Sequence, residues 1–319
     1  MAPHQRIGVL MGGWGEERDV SIRTGLAVAR SLEELGFPVH RLTVDANLDL
    51  DRAVRASGIE VAFLALHGRM GEDGRVQGLL DVLGIPYTGS GVLASALAMN
   101  KPFAKKIFRF HNLPTPAGYE AADADTVGAL ERHGDLGFPC VVKPSCGGSS
   151  VGLTVVRRAE RLGAAIAEAR RFGGAALVER WARGREVTVG ILGEQVLGSC
   201  EVDHGQAALS HAKKYHGGAR YHLPPRVPAT RRRNVEALAL AAYQALGCRG
   251  VGRVDLIVGD RDNDQVLEVN TLPGLTHQSL LPKIATMAGL SYAKLVEGIL
   301  ERAQCDRPAP SQSVDRLAS

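Results

Sequence analysis

The stretch Lys143-Pro144-Ser145-Cys146-Gly147-Gly148-Ser149-Ser150-Val151-Gly152 lies between two apolar, strand-like runs at 140–143 and 153–156. Glycines and serines packed so densely let consecutive backbone N–H groups turn toward one oxyanion, while the hydroxyls add donors and Lys143 adds charge. It is not a Walker loop, because the lysine precedes the glycines and the GxxxxGK[ST] order is missing. Taken alone, the segment would serve equally well as a plain Gly/Ser hairpin, so its surroundings have to decide.

Toward the N-terminus, apolar runs at 6–11, 39–44 and 61–66 alternate with helical patterns at 20–35 and 50–57. That alternation predicts βαβ units and an open parallel sheet over roughly residues 1–95. Residues 89–99 are apolar nearly all round, which predicts a buried helix. Asn100-Lys101-Pro102 opens another helix with a capping Asn and an early Pro. On either side of the Gly/Ser stretch, helices are expected near 123–133 and up to Arg171, with a strand at 175–179. Beyond 184 come strands at 186–192 and 195–203, a polar loop at 204–220, a helix at 229–246, strands at 251–258 and 265–269, and two closing helices. A single core rarely exceeds ~250–300 residues, so 319 residues imply more than one domain. The expected class is α/β, divided at 1–97, 98–181 and 182–305, with 306–319 a frayed Pro/Ser-rich tail.

Composition narrows the function. The chain has 38 Lys+Arg against 34 Asp+Glu, 45% hydrophobic residues and 5% aromatics. No run reaches the ~18 apolar residues of a membrane span. The N-terminus runs straight into a strand-like segment without a signal-peptide h-region, so a cytoplasmic protein is expected. Cys140, Cys146, Cys200, Cys248 and Cys305 are widely spaced with no CxxC pair, which argues against a disulfide framework or a zinc knuckle. The basic run Arg231-Arg232-Arg233 opens a helical segment and reads as a solvated first turn rather than a nucleic-acid contact, since stacking aromatics are scarce. Glycine, 38 residues of 319, exceeds the typical ~7%. Bare backbone is used where something must approach closely, and phosphate is the first ligand this suggests.

Three further constellations carry chemistry. In Gly252-Arg253-Val254-Asp255 and Leu267-Glu268-Val269-Asn270, polar residues alternate with apolar ones, so Arg253 and Asp255 share one face and Glu268 and Asn270 share another. Two carboxylates and an amide oxygen are hard ligands suited to Mg²⁺, although plain surface alternation gives the same pattern. Asn270 runs directly into Thr271-Leu272-Pro273-Gly274, a turn rich in backbone donors. Gly12-Gly13-Trp14-Gly15-Glu16-Glu17 follows the first strand but breaks the dinucleotide GxGxxG pattern. Its glutamates would repel a pyrophosphate and favour an ammonium. His67, at the end of the third strand, is as consistent with a structural histidine as with a ligand-facing one.

Taken together, GGxxxERDVS, ALHGxxGEDGxxQG, YTGSGVLASALAMNK, VVKPSxxGSSVG, KY followed by YxxP, GRVD and LEVNTLPGxTxxSL resemble the D-alanine–D-alanine ligases of the ATP-grasp superfamily. The likeness covers residues 6 to 303. It implies an ATP-grasp fold of three domains: an N-terminal open parallel α/β sheet, then central and C-terminal α+β domains with ATP between them. It also implies ATP-driven joining of two D-alanines through an acyl phosphate, two Mg²⁺ or Mn²⁺ ions, no nucleic-acid or membrane partner, and a homodimer through the first domain.

Residue by residue, the resemblance implies that Glu17 binds the ammonium of the first D-alanine and that His67 orients it. Lys101 and Lys143 hold ATP phosphates, and Lys214 holds the transferred one. Glu179, Arg180 and Ala182 line the adenine pocket, with Glu186 on the ribose and Ser149 and Ser150 in the phosphate loop. Asp255, Glu268 and Asn270 are the metal ligands. Arg253 and the Gly274 N–H stabilise the oxyanion. Ser149, Tyr215 and Glu17 form a hydrogen-bonded chain, and Ser279 with Leu280 holds the second carboxylate. Tyr215 favours an amine acceptor over D-lactate. Departures from the family pattern are Asn100 for the usual Asp, Cys146-Gly147 in the phosphate loop, Leu209 to Lys213, and His277-Gln278. Cys146 is expected to be alkylated in the empty enzyme and shielded by ATP. The rival readings are another ATP-grasp carboxylate–amine or D-alanine–D-lactate ligase, a nucleotide-binding regulator with a degenerate site, and an NAD-dependent Rossmann enzyme.

Overall fold

The computed structural model describes residues 4–15, 17–121, 133–149, 151–205, 219–261 and 263–306. The expected helix near 123–133, together with Ser150, the 209–213 segment, Lys214, Tyr215 and the tail, falls essentially outside them.

Three sheets organise the chain. The first is parallel, in the order β2-β1-β3, from β1 (Ile7–Gly12), β2 (Val39–Val44) and β3 (Val61–Leu64). Every residue of β1 is buried, as a continuously apolar strand between two helical layers should be. The helix Arg18–Glu34 follows it and buries Ser21, Thr24, Gly25, Val28, Ala29 and Leu32, the i, i+3, i+4, i+7 stripe of an amphipathic helix. The Ser21 hydroxyl accepts from the Gly12 N–H at 2.8 Å and donates to the Ala65 carbonyl at 2.7 Å. One side chain thereby joins the ends of β1 and β3 to the helix that starts beside them.

The second sheet is antiparallel, in the order β4-β7-β5-β6, from β4 (Gly118–Ala121), β5 (Cys140–Pro144), β6 (Thr154–Val156) and β7 (Ala176–Arg180). Its core is shared with the helix Leu162–Gly173. The third runs β10-β9-β8-β11-β12, from β8 (Arg185–Leu192), β9 (Gln195–Asp203), β10 (Arg220–His222), β11 (Val251–Val258) and β12 (Gln265–Asn270). Helix Ala229–Ala245 covers one face with Val235, Ala239, Ala242 and Tyr243. On the other face, helix Leu280–Met287 packs at one end, where Leu281 and Ile284 lie against Gly190. The remainder of that face is left open toward the second sheet.

The first and third sheets are not separate bodies. Ile7, Val9, Val28, Leu32 and Phe63 share one buried cluster with Leu192, Leu281, Leu295, Val296 and Leu300. Each such fully buried side chain is worth about 1.5–3 kcal/mol.

Two expectations change. The helix expected over 89–99 begins at Val92 and buries only one side, with Leu93 70% exposed; the residues before it are held in contact with Leu272 and Gly250 instead. The third strand ends at Leu64, although Ala65 and Leu66 remain buried. The basic run lies in the first turn of the helix Ala229–Ala245, where Arg231 is half-buried and pairs with Asp264 at 2.7 Å.

Candidate active site

The open face of the third sheet carries the strand-end residues. Period-two alternation in β11 puts Arg253, Asp255 and Ile257 on one side. The register sets Asp255 opposite Thr188 and Glu268, and Arg253 opposite Asn270. The two faces read separately in the sequence are therefore the same side of one sheet, because directly paired residues point the same way. Arg253 grips Asp255 as a fork, Nε to Oδ1 at 2.9 Å and Nη2 to Oδ2 at 2.8 Å. Thr188 adds an Oγ1 donor at 2.5 Å, and Asn270 adds Nδ2 at 3.2 Å. Both carboxylate oxygens are thus in use, which fixes the guanidinium's orientation.

The second sheet supplies the facing wall. Lys143, near the end of β5, lies 2.6 Å from Glu179 Oε1 of β7, and Lys105 lies 2.9 Å from Oε2. Burial alone would push the Glu179 carboxyl up, but the two lysines outweigh it and hold it down at about 2. Lys101 opens its helix beneath an Asn100 cap, as the sequence predicts. Its Nζ donates to the Gly147 carbonyl at 2.5 Å and sits 3.1 Å from Glu268 Oε2. The Gly/Ser stretch is thereby tied to both walls.

From the first sheet, Glu17 precedes the helix Arg18–Glu34 and accepts a hydrogen bond from the Ser149 hydroxyl. Ser149 holds φ at +56°, a left-handed conformation uncommon for a non-glycine residue and frequent at functional sites. Gly68 must be glycine: its φ is +68°, and a Cβ would lie 2.5 Å from Glu17 Oε2. The Gly68 N–H donates to Glu72 Oε2 at 2.9 Å. Burial first, then the charge of Glu17, push the Glu72 carboxyl up to about 8.

His67 Nδ1 lies 3.0 Å from the Leu272 carbonyl, and its Nε2 3.1 Å from Thr24 Oγ1. Burial lowers its pKa to about 4 against the backbone bond's opposing pull. The ring is therefore neutral at pH 7, with Nδ1–H donating to Leu272. Between pH 6.5 and 4 the unfolded chain binds the proton more readily than the folded one, so acidification through that window destabilises the fold. His67→Gln is expected to reduce the loss of melting temperature between pH 7 and 4.5 by about 2–4 °C; differential scanning fluorimetry at the two pH values checks this.

Every described residue to which the resemblance gives a catalytic, substrate, nucleotide or metal role lines one of two adjoining cavities. Lys101, Lys143, Glu179, Arg180 and Ala182 line the first. Glu17, His67, Ser149, Arg253, Asn270, Gly274, Ser279 and Leu280 line the second. Glu186, Asp255 and Glu268 line both. Glu186 also meets His204 Nε2 at 2.8 Å, and the Ser279 hydroxyl meets Thr276 Oγ1 at 2.8 Å. Sequence reading passed over Lys105 and Glu72. The available signal for Lys105 was its place on the apolar stripe with Ala104 and Phe108, one turn after Lys101.

Cys146 is half-buried. The first cavity's lining passes through Gly147 and Gly148 and omits it, and burial pushes its thiol pKa up. Iodoacetamide labelling of Cys146 is expected to be slow and to proceed at equal rates with and without ATP, as followed by mass spectrometry.

Asp255, Glu268 and Asn270 offer two carboxylates and an amide, hard donors that fit a divalent magnesium or manganese ion. The cations Arg253 and Lys101 already lie against the two carboxylates. Among the described residues no three His, Cys, Asp or Glu side chains gather at metal-holding distance. The set therefore needs oxygen ligands from a bound phosphate or water, the usual habit of magnesium.

Two family models match the chain: "D-ala D-ala ligase N-terminus" over residues 39–90 and "D-ala D-ala ligase C-terminus" over 115–301. A D-alanine–D-alanine ligase of Desulforudis audaxviator is 50% identical over 307 residues, covering 94% of this chain and 99% of that protein. One from Anaeromyxobacter sp. strain K is 47% identical over 302 residues, covering 94% and 97%. The crystal structure of the Bacillus anthracis D-alanine–D-alanine ligase superposes with a TM-score of 0.84 at 38% identity, covering 93% of this chain and 97% of that one. The same ligase complexed with ATP gives 0.82 at 36% identity, covering 94% and 96%.

Proposed function

Because the chain belongs to the D-alanine–D-alanine ligase family, we propose that it joins two D-alanines into D-alanyl-D-alanine, with ATP converted to ADP and phosphate, for the cell-wall precursor. The observation that carries this reading is the meeting of all three sheets at one pair of cavities, with an acid at one end and lysines at the other. ATP occupies the cavity between the second and third sheets. Its adenine lies against 179–182, its ribose at Glu186, and its phosphates near Lys101, Lys143 and the Ser149-Ser150 loop, with Lys214 on the transferred group.

The adjoining cavity takes the amino acids. Glu17 binds the first ammonium, with neutral His67 orienting it. Phosphoryl transfer to the first carboxylate brings anions together, so cationic side chains must offset their repulsion. Asp255, Glu268 and Asn270 would hold two Mg²⁺ or Mn²⁺ ions, which supply additional positive charge at the phosphates when bound. The second D-alanine is held by its carboxylate at Ser279 and Leu280, and its amine attacks the acyl phosphate. Negative charge then gathers on the carbonyl oxygen, where Arg253 and the Gly274 N–H donate to it. Ser149 and Glu17 are joined by a hydrogen bond, and the family resemblance adds Tyr215, outside the described residues, to that chain.

The order of the three sheets along the chain supports a division at 1–97, 98–181 and 182–305, with the first boundary falling inside the helix Val92–Met99. A homodimer through the first domain is supported by Val82 and Leu93, 77% and 70% exposed on neighbouring helices. No helix among the described residues is long and apolar enough to cross a membrane, and we place the reaction in the cytoplasm, where ATP is available. The test is phosphate release from ATP with D-alanine, L-alanine or D-lactate as the sole added substrate, followed by product mass. Release with D-alanine and a dipeptide mass is expected; no release with D-alanine overturns the reading.

A further inference from the structure

Lys105 is 1% exposed, and it lines neither cavity. It nevertheless touches both walls of the cleft between the second and third sheets. Its Nζ sits 2.9 Å from Glu179 Oε2 on β7. The same Nζ donates at 2.7 Å to Thr115 Oγ1, whose hydroxyl donates at 2.9 Å to the Val266 carbonyl on β12. A buried ammonium is costly unless paired, and where only stability matters an apolar side chain of similar size does as well. A lysine at this position therefore suggests a function beyond packing. Its partner points to one, because Glu179 faces the first cavity and also holds Lys143 at 2.6 Å.

We propose that Lys105 is a positioning residue for nucleotide binding. It anchors the Glu179 carboxylate from behind, so that Lys143 is not that carboxylate's sole counter-charge and keeps net positive charge toward the nucleotide. The trio of one carboxylate and two ammoniums carries a net charge of +1. Without Lys105 the Glu179 charge is met by Lys143, which is then drawn to Glu179 instead of to the ligand. The Thr115 link couples this arrangement to β12, the strand that carries Glu268 and Asn270. The orientation of Glu179 and the spacing of the two walls are then set by the same ammonium. This inference rests on the reading that the first cavity takes ATP.

The experiment is a double-mutant cycle in the full-length protein with Lys105→Met and Glu179→Gln, read as KM for ATP and KM for D-alanine by phosphate release. Lys105→Met is expected to raise KM for ATP about tenfold or more while KM for D-alanine stays within about twofold. Since Lys105 acts through Glu179, the double variant should bind ATP no more weakly than Glu179→Gln alone. A folded Lys105→Met protein with unchanged KM for ATP, or equal shifts in both KM values, overturns the proposal. Should that single variant fail to fold, the double variant, which removes both charges together, carries the test: a further tenfold loss beyond Glu179→Gln overturns it. Failure of the underlying reading looks different, since the unaltered protein would then show no ATP-dependent phosphate release.

Discussion

Arg253→Ala is expected to lower kcat by about two to three orders of magnitude, the usual cost of losing an oxyanion donor, with KM for D-alanine changed only a few-fold. The split follows from when the guanidinium acts: it meets charge that develops after both amino acids are bound. Asp255 adds a second consequence. In the intact protein both its oxygens are engaged by the Arg253 fork, with Thr188 and Asn270 as secondary donors. Alanine leaves a buried carboxylate, 4% exposed, without the two guanidinium bonds, so some loss of stability accompanies the loss of rate. Arg253→Lys restores charge but not the planar fork, and should recover only part of kcat. Steady-state phosphate release with a parallel melting curve separates the two effects, and near-normal turnover in the alanine variant removes Arg253 from the proposed role.

Glu17→Gln is expected to raise KM for the first D-alanine by about 100-fold, since a charge-assisted hydrogen bond is worth roughly 1.5–3 kcal/mol. The neighbouring acid shapes the result. Burial and the charge of Glu17 keep Glu72 protonated up to about pH 8, so the pair presents one negative charge, not two, to an incoming ammonium. Removing the charge of Glu17 lets Glu72 ionise at lower pH and take over in part. First-site binding in Glu17→Gln should therefore improve between pH 6 and 8, and the double variant with Glu72→Gln should lose that recovery. Initial rates over a D-alanine titration at several pH values measure both. A pH-independent KM in the single variant would show that Glu72 does not face the ligand.

The sequence was informative where chemistry is written in neighbouring residues. The Gly/Ser loop between β5 and β6, the alternation Arg253–Asp255 and Glu268–Asn270, and the Asn100 cap were all readable locally. What was hidden depends on pairing across the chain. Alternation shows which residues share a strand face, but only the register of β11 with β8 and β12 puts Thr188, Asp255 and Glu268 side by side. Lys105 sits on an apolar helix stripe where a lysine has no local explanation; its reason, Glu179, lies more than 70 residues away in sequence. Glu72 appeared in a glycine-rich motif, yet its altered acidity comes from Glu17 and from burial that no short window reveals.

The buried cluster that joins Ile7 and Leu32 to Val296 and Leu300 also bears on how the chain is made. A ribosome releases β1 and its helix long before the helix Tyr292–Leu300 that covers them exists. β1 and its helix must therefore wait, partly uncovered, for a helix that follows more than 250 residues later, and a nascent chain arrested short of residue 292 would expose an apolar surface. Long-range closure of this kind slows folding and leaves intermediates prone to aggregation. Truncation from the C-terminal end, although distant in sequence from Glu17 and His67, should be felt first in the N-terminal sheet.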